Sequence, residues 1–305
     1  MIDKVAIIGF GSIGKKHLEI FKKNKLAKKI YIISSQDLKF NEKNIFATSI
    51  RKIKKVNPDY FVISSETSKH LKFIKFIENN FKNKCVLVEK PLSNDLPNFQ
   101  IKKNSIYVGY NLRFHPVIQY VSNLIKNTKI ISIDSICRSN LKNWRKIKYT
   151  ESSSASKKKG GGVLLDLSHE LDYIYYLFGD LFVKYSFNKK ISNLNIDSDD
   201  TLYVFGKTLN NSLFSIIANY YSKIEFRSFT ITGNNIFIYG DLINNYVLIK
   251  KNKKIVKKSW NKFNIMKTYL DQHISIIRNE NSKILSNYNQ SIKLMKIIRS
   301  IKLKK

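Results

Sequence analysis

The chain has 305 residues, 43% hydrophobic and 12% aromatic, which suggests two cores and excludes global disorder. Its 11 Gly and 4 Pro exclude a collagen-like or Pro-rich fibre, and two cysteines, Cys85 and Cys137, cannot build a disulfide framework. Lys and Arg outnumber Asp and Glu 55 to 22, a formal charge of +33, which raises nucleic acid or anionic membrane as partners. Those partners need charge gathered in a stripe. Here lysine is spread through nearly every segment, from Lys22, Lys23 and Lys25 to Lys250, Lys251, Lys253 and Lys254. The excess therefore reads as compositional drift with solvated lysines. Nucleic-acid binding is a minor alternative, and no specific nucleic-acid partner is expected. No apolar run approaches a membrane span, and the opening MIDKVAIIGFG carries no basic leader with a cleavable apolar core. A cytoplasmic, reduced protein is the expectation.

The first third alternates short apolar runs with helical patterns, as βαβ units of a parallel sheet do. Lys4–Gly9 reads as a buried strand, and Ser12–Asn24 as a helix with Ile13, His17, Ile20 and Phe21 on one face. Ile30–Ser34 and Asp59–Ser65 are further strands. Thr67 is placed as the cap of a helix through Asn79, whose Leu71, Ile74 and Ile77 recur three apart. Cys85–Glu89 and Ser105–Tyr110 complete five or six strands.

After Asn111 the pattern changes. Arg113–Lys126 reads as a helix, Lys129–Arg138 as a strand, and Asn140–Lys159 as a polar loop long enough to be functional or mobile. Gly160–Phe178 reads as one apolar helix. From Leu181 to Trp260, β-rich segments separated by Asn-rich turns suggest an antiparallel sheet. Two amphipathic helices, about 264–279 and 287–303, close the chain. The predicted class is α/β: a Rossmann domain over 1–118 and an α/β domain with an open, largely antiparallel sheet over 119–305.

Gly9-Phe10-Gly11-Ser12-Ile13-Gly14 is a G-x-G-x-x-G run placed directly after a strand and opening a helix. Gly9 suits the tight turn, Gly11 a close backbone approach to pyrophosphate, and Gly14 close helix–strand packing. Ser12, Ile13 and Gly14 then offer helix N-terminal N–H groups to phosphate. About twenty residues past Gly14 the count reaches Ser34, where an NAD-specific domain usually carries an acid. Neither Ser34 nor Ser35 repels a 2′-phosphate, and Lys39 adds attraction, whereas Asp37 could supply the acid instead. NAD(P) is the expected cofactor, with NADP slightly favoured.

Glu89-Lys90-Pro91 ends a strand, where ligands of open α/β sheets bind. Taken alone it is also a common surface turn. Gly160-Gly161-Gly162 precedes Asp166, His169 and Asp172 in a stretch, Gly160 to Val183, without Lys or Arg. Asp166 and His169, three apart, would share a helix face, and a carboxylate beside imidazole suits general base work. The five histidines show no tight ligand spacing, and no metal site is expected.

Together these segments resemble the glucose–fructose oxidoreductase and inositol dehydrogenase (Gfo/Idh/MocA) family. The matching stretches are VAIIGFGSIGKKHLE, DYFVISSETSKH, VLVEKPLS, GYNLRFHP, GGGVLLDLSHELDYIYYLFGD and the closing YLDQHISIIRNENSKILSNYNQSIKLMKIIRSI. The polar NWRKIKYTESSSASKKKGGG is similar to members of surface-glycan sugar biosynthesis. The resemblance implies NAD(P)-dependent hydride transfer on a sugar, sugar phosphate or nucleotide-linked sugar, and a homo-oligomer, dimer or tetramer. It implies that Lys90 holds the reacting hydroxyl and that His169, aided by Asp166, takes or gives the proton. It places Ser64, Ser65, His70 and Glu89 along the cofactor, and Asn111, Arg113 and Trp144 in the substrate pocket. One departure stands out: many members place the Asp four residues before the His, while here position 165 is Leu. An inositol-type polyol dehydrogenase and a non-catalytic NAD(P)-binding sensor are the alternatives.

Overall fold

A computed structural model describes residues 1–303 of the chain. The chain divides into two compact units: Met1–Asn111 with Met266–Ile292, and Leu112–Ile265 with Lys293–Lys305. The first change of unit falls between Asn111 and Leu112. The segment 266–292, expected with the second domain, packs with the first.

In unit one, β1 (Ile2–Ile8) leads through Gly9–Gly11 into α1 (Ser12–Lys23), followed by β2 (Ala27–Ile33), β3 (Ile45–Thr48) and the short α2 (Ile53–Val56). Then come β4 (Tyr60–Ile63), α3 (His70–Asn80), β5 (Cys85–Val88) and β6 (Ser105–Val108). The strand β3 escaped the sequence reading because its four residues show no run of alternation. Thr67 lies inside a 3-10 turn, Thr67–Lys69, and makes no cap, so α3 begins at His70 rather than after Thr67. Strands β1 to β6 pair in parallel in the order β6-β5-β4-β1-β2-β3. The order reverses between β1 and β4, and the crevice beyond the strands' carboxyl ends at that point is where such sheets bind ligands. Val5, Ala6, Ile7, Phe61, Val62, Ile63, Val86, Leu87 and Val88 are fully buried, as expected of strands covered on both faces.

In unit two, Asn111–Phe114 forms a 3-10 turn and α4 runs only over Pro116–Leu124. Pro116 sits at the first turn, where its missing N–H costs nothing, and His115 Nδ1 accepts from Val117 N as the cap. Next is β7 (Ile130–Asn140), then a loop built from four 3-10 turns between Leu141 and Lys159. The expected single helix over Gly160–Phe178 is two: α5 (Val163–Asp166) and α6 (His169–Phe178). Ser168 Oγ donates to Leu165 O, a local bond that competes with helix continuation where the chain bends at Leu167-Ser168.

Seven strands follow: β8 (Leu181–Lys189), β9 (Thr201–Thr208), β10 (Leu213–Asn219), β11 (Tyr221–Gly233), β12 (Ile236–Asp241), β13 (Tyr246–Lys251) and β14 (Lys254–Ser259). With β7 they form an eight-stranded sheet, β14-β13-β12-β11-β7-β10-β9-β8, antiparallel except for the β7–β10 pair. The chain then supplies α7 (Met266–Arg278) and β15 (Ser286–Asn287) to unit one, where β15 pairs antiparallel with the β6 edge. The last helix, α8 (Tyr288–Leu303), begins in unit one and ends in unit two. Among the described residues no helix is long and apolar enough to cross a membrane.

Candidate functional site

The glycine turn after β1 is shaped by contact. Gly9 has φ +98°, and a Cβ there would lie 2.6 Å from Ser65 N; a Cβ on Gly14 would lie 2.2 Å from Gly9 O. Both positions therefore require glycine. Gly11 differs: a Cβ there would meet nothing within 4 Å, so this side of the turn is open. Gly11 caps α1 without a side-chain bond, leaving the first N–H groups of the helix, from Ser12, Ile13 and Gly14, without partners in it. An open glycine backbone at a helix N-terminus fits a dinucleotide pyrophosphate.

The flanking residues hold this turn in place. Ser64 Oγ donates to Gly9 O at 2.9 Å, so the residue after β4 pins the turn after β1. Ser65 continues the same edge. His70 is fully buried, with Nδ1 3.1 Å from Pro91 O and Nε2 3.1 Å from Ser65 O. Burial pushes its pKa below the usual value, so a neutral ring donates to one of the two carbonyls. Ser34, just past β2, accepts from Gln36 N at 3.1 Å and keeps its own proton to donate. Asp37 and Lys39 are exposed nearby.

At the end of β5, Glu89 is 8% exposed and Lys90 half-buried, and the Lys90–Pro91 peptide is cis. Glu89 Oε1 lies 3.0 Å from His17 Nε2; His17 Nδ1 lies 2.8 Å from His273 Nε2; His273 Nδ1 lies 3.0 Å from Tyr60 Oη. These four residues come from β4, the turn after β5, α1 and α7, all in unit one. The sequence reading put His17 on the apolar face of α1 and missed its partners. A histidine among Ile20 and Phe21 was the available signal, but the residue it meets stands 256 positions away. Asn111 is also committed within unit one: its Nδ2 donates to Thr268 Oγ1 at 2.6 Å.

In unit two the glycine-headed segment presents Asp166 and His169 on either side of the break between α5 and α6. They do not share one helix, so their proximity in sequence is not an i,i+3 pair. Gly162 has φ +114°, and a Cβ there would lie 2.2 Å from Asp199 Oδ1. Asp199 Oδ2 accepts from Leu164 N, and burial raises the Asp199 pKa against these bonds. Asp166 Oδ2 accepts a 2.6 Å bond from the hydroxyl of Tyr220, a residue sequence reasoning missed. Tyr220 is fully buried; burial first and the Asp166 charge second push its pKa well above the usual value, while Arg145 pulls the other way. Trp144 meets the Tyr220 ring edge-on at 5.1 Å. His169 is 8% exposed at the start of α6.

Arg113 is held in a buried ion pair. It is 1% exposed and grips Asp172 through Nε and one terminal nitrogen, at 2.7–3.2 Å. Burial raises the Asp172 pKa, opposed by the Arg113 charge. Glu170 is paired the same way with Arg227, at 2.8 Å. Of the carboxylates on this segment, Asp166 is the one held by a neutral hydroxyl and half-exposed. Among the described residues no group of His, Cys, Asp or Glu is arranged to hold a metal ion.

A Rossmann unit with a pyrophosphate cradle, followed by an open-sheet α/β unit, defines a dinucleotide-dependent oxidoreductase. The chain belongs to the Gfo/Idh/MocA oxidoreductase family: residues 4–102 match its NAD-binding Rossmann domain and residues 124–281 its C-terminal α/β domain. No curated protein matches the chain. Among solved structures it is similar to UDP-N-acetylglucosamine 3-dehydrogenase from Acidithiobacillus ferrooxidans, at 14% identity and TM-score 0.74, covering 99% of this chain and 97% of that one. It is similar to a levoglucosan dehydrogenase in complex with NADH, at 14% identity and TM-score 0.78, covering 99% and 96%. An oxidoreductase from Agrobacterium radiobacter, solved with NAD+, L-tartaric acid and magnesium, aligns at 16% identity and TM-score 0.78, covering 98% and 95%.

Proposed function

We propose that the protein is an NAD(P)-dependent dehydrogenase or reductase of a sugar derivative, nucleotide-linked or phosphorylated, serving surface polysaccharide synthesis. The observation that carries this reading is Asp166 held by Tyr220 with Trp144 against it: a carboxylate for hydroxyl groups beside an aromatic wall. Two similar structures, a UDP-N-acetylglucosamine 3-dehydrogenase and a levoglucosan dehydrogenase, support a sugar-derived substrate.

Bound nicotinamide supplies or accepts the hydride. In this proposal Lys90 holds the reacting hydroxyl and His169 takes or returns its proton. Asp166 orients the imidazole and favours its protonated form, and Tyr220 fixes Asp166. Gly9, Gly11 and Gly14 would admit the cofactor backbone, with Ser64, Ser65, His70 and Glu89 along it. Asn111 and Arg113 act by holding their own unit together, and Trp144 lines the substrate side. Ser34 at the end of β2, with Lys39 near it, favours NADP or dual use over strict NAD, and Asp37 is the rival acid in the same turn.

The outer face of the large sheet supports a homo-oligomer, dimer or tetramer. Phe187, Tyr203, Ile217 and Ile136 line up across four strands, with Tyr185 and Phe205 in the next row, and Tyr185 is 75% exposed. An apolar face of this breadth is uncommon on a monomer. Light scattering at micromolar concentration should give a mass of two or four chains.

The functional test is a screen of nucleotide-linked sugars, sugar phosphates and polyols for change at the reduced-nicotinamide band, with NADH and NADPH titrated side by side. Turnover of an activated sugar supports the proposal. Turnover of free inositols alone supports the polyol reading, and cofactor binding without turnover the sensor. Binding at least about tenfold tighter for NADH would overturn the Ser34 argument and point to Asp37.

A further inference from the structure

The buried chain from Tyr60 to Glu89 has a direction that its blind end decides. Tyr60 is 1% exposed, and burial pushes its pKa well above the usual value, so it carries its proton. The bond recorded for that hydroxyl among the described residues is to His273 Nδ1. A buried donor left unmade costs more than a bond gains, so the hydroxyl donates and Nδ1 accepts. Burial pushes His273 well below its usual pKa, and a ring accepting at Nδ1 carries its one proton on Nε2. That proton goes to His17 Nδ1, which leaves His17 to donate from Nε2 to Glu89 Oε1. With every proton assigned, His17 holds one and not two. The carboxylate at the end of the chain is therefore bonded to a neutral ring.

Glu89 follows β5, on the β4–β5–β6 side of the point where the sheet order reverses. The adenosine ribose of a dinucleotide lies at the end of β2, near Ser34, so its other half extends over β4 and β5. Around Glu89 stand His17 from α1, the buried His70 of α3, Lys90 next in the chain, and Gly109, where a Cβ would come 3.1 Å from Glu89 Oε1.

We propose that Tyr60, His273 and His17 are positioning residues that fix Glu89 as a carboxylate not neutralised by its histidine partner, at the nicotinamide end of the cofactor crevice. The ring there is cationic when oxidised and neutral when reduced, so the charge favours the oxidised cofactor. Reversing the chain would place a proton on His17 Nδ1 and require one more between His17 Nε2 and Glu89 Oε1, which cancels the charge. Tyr60 prevents this reversal from a distance.

The inference rests on the cofactor reading above, and two measurements separate the two. Nitrogen-15 NMR of the cofactor-free protein labelled at histidine should show His17 and His273 both protonated at Nε2 alone; a doubly protonated His17 overturns the proposal. Titration with oxidised and reduced cofactor then gives the ratio of their affinities. Glu89→Gln should lower the preference for the oxidised form by about tenfold. Tyr60→Phe, nearly isosteric and away from the cofactor, should move the ratio the same way by a factor of about three and add protonation at His17 Nδ1. An unchanged ratio in both variants, with both cofactor forms still bound, overturns the inference alone. A wild-type protein that binds neither form overturns the cofactor reading instead.

Discussion

Tyr220 donates to Asp166 across 54 positions of sequence, over 2.6 Å, and in doing so gives the carboxylate a fixed orientation. The tyrosine cannot take the role of base, because its pKa lies well above the usual value. The expected order of damage follows. His169→Ala should lower turnover by about a hundredfold or more and flatten the pH–rate profile near neutrality. Asp166→Asn and Tyr220→Phe should cost less, and similar amounts, because both act through orientation. Steady-state rates across pH check this; an inert Asp166→Asn alongside a damaging Tyr220→Phe would detach the pair from the mechanism.

Lys90 follows Glu89 at the carboxyl edge of the parallel sheet. Lys90→Ala should abolish turnover, by about a hundredfold or more, while melting temperature and cofactor affinity stay near wild type. Near-normal turnover would remove Lys90 from the reaction.

Arg113 and Asp172 form a buried ion pair, each 1% exposed at the side chain. Removing one partner strands the other's charge, which typically costs about 3–5 kcal/mol. Arg113→Ala and Asp172→Asn should therefore lower stability in urea titrations. A substrate residue would instead raise KM with stability unchanged, and that result would return Arg113 to the pocket.

His115 gives a pH dependence of stability. Burial lowers its pKa from 6.5 to about 4, with the Asn245 bond opposing. The folded chain refuses a proton that the unfolded chain accepts. Stability from this group is thus complete above about 6.5 and falls as pH drops towards about 4, by up to about 3 kcal/mol. His115→Asn keeps a capping acceptor for α4 and should flatten the loss between those pH values in denaturant titrations. An unchanged slope would assign the acid sensitivity to other groups.

The Rossmann unit was legible because its residues state their geometry locally: a strand of buried aliphatics, three glycines at fixed spacing, a helix with one apolar face. The antiparallel sheet was legible for the same reason, since its Asn-rich turns mark each reversal. The boundary between α5 and α6 was not, because a single Ser168 hydroxyl bond to Leu165 O leaves no trace in periodicity. Arg113 enters the sequence reading as a pocket residue through the family resemblance, and its ion pair with Asp172 is made only by the fold. Tyr220 and His273 were illegible for a topological reason: each matters through a partner more than fifty residues away.

The return of α7 and β15 to the first unit has a consequence for how the protein is made. Emerging from the ribosome, residues 1–111 hold six parallel strands, but their β6 edge has no neighbour and His17 has no His273. The segment that supplies both is translated only after residues 112–265, which carry the second unit's whole sheet. The parallel-sheet unit is thus begun before the second unit and closed after that unit's sheet is made, and in between it exposes a strand edge of the kind that chaperones guard.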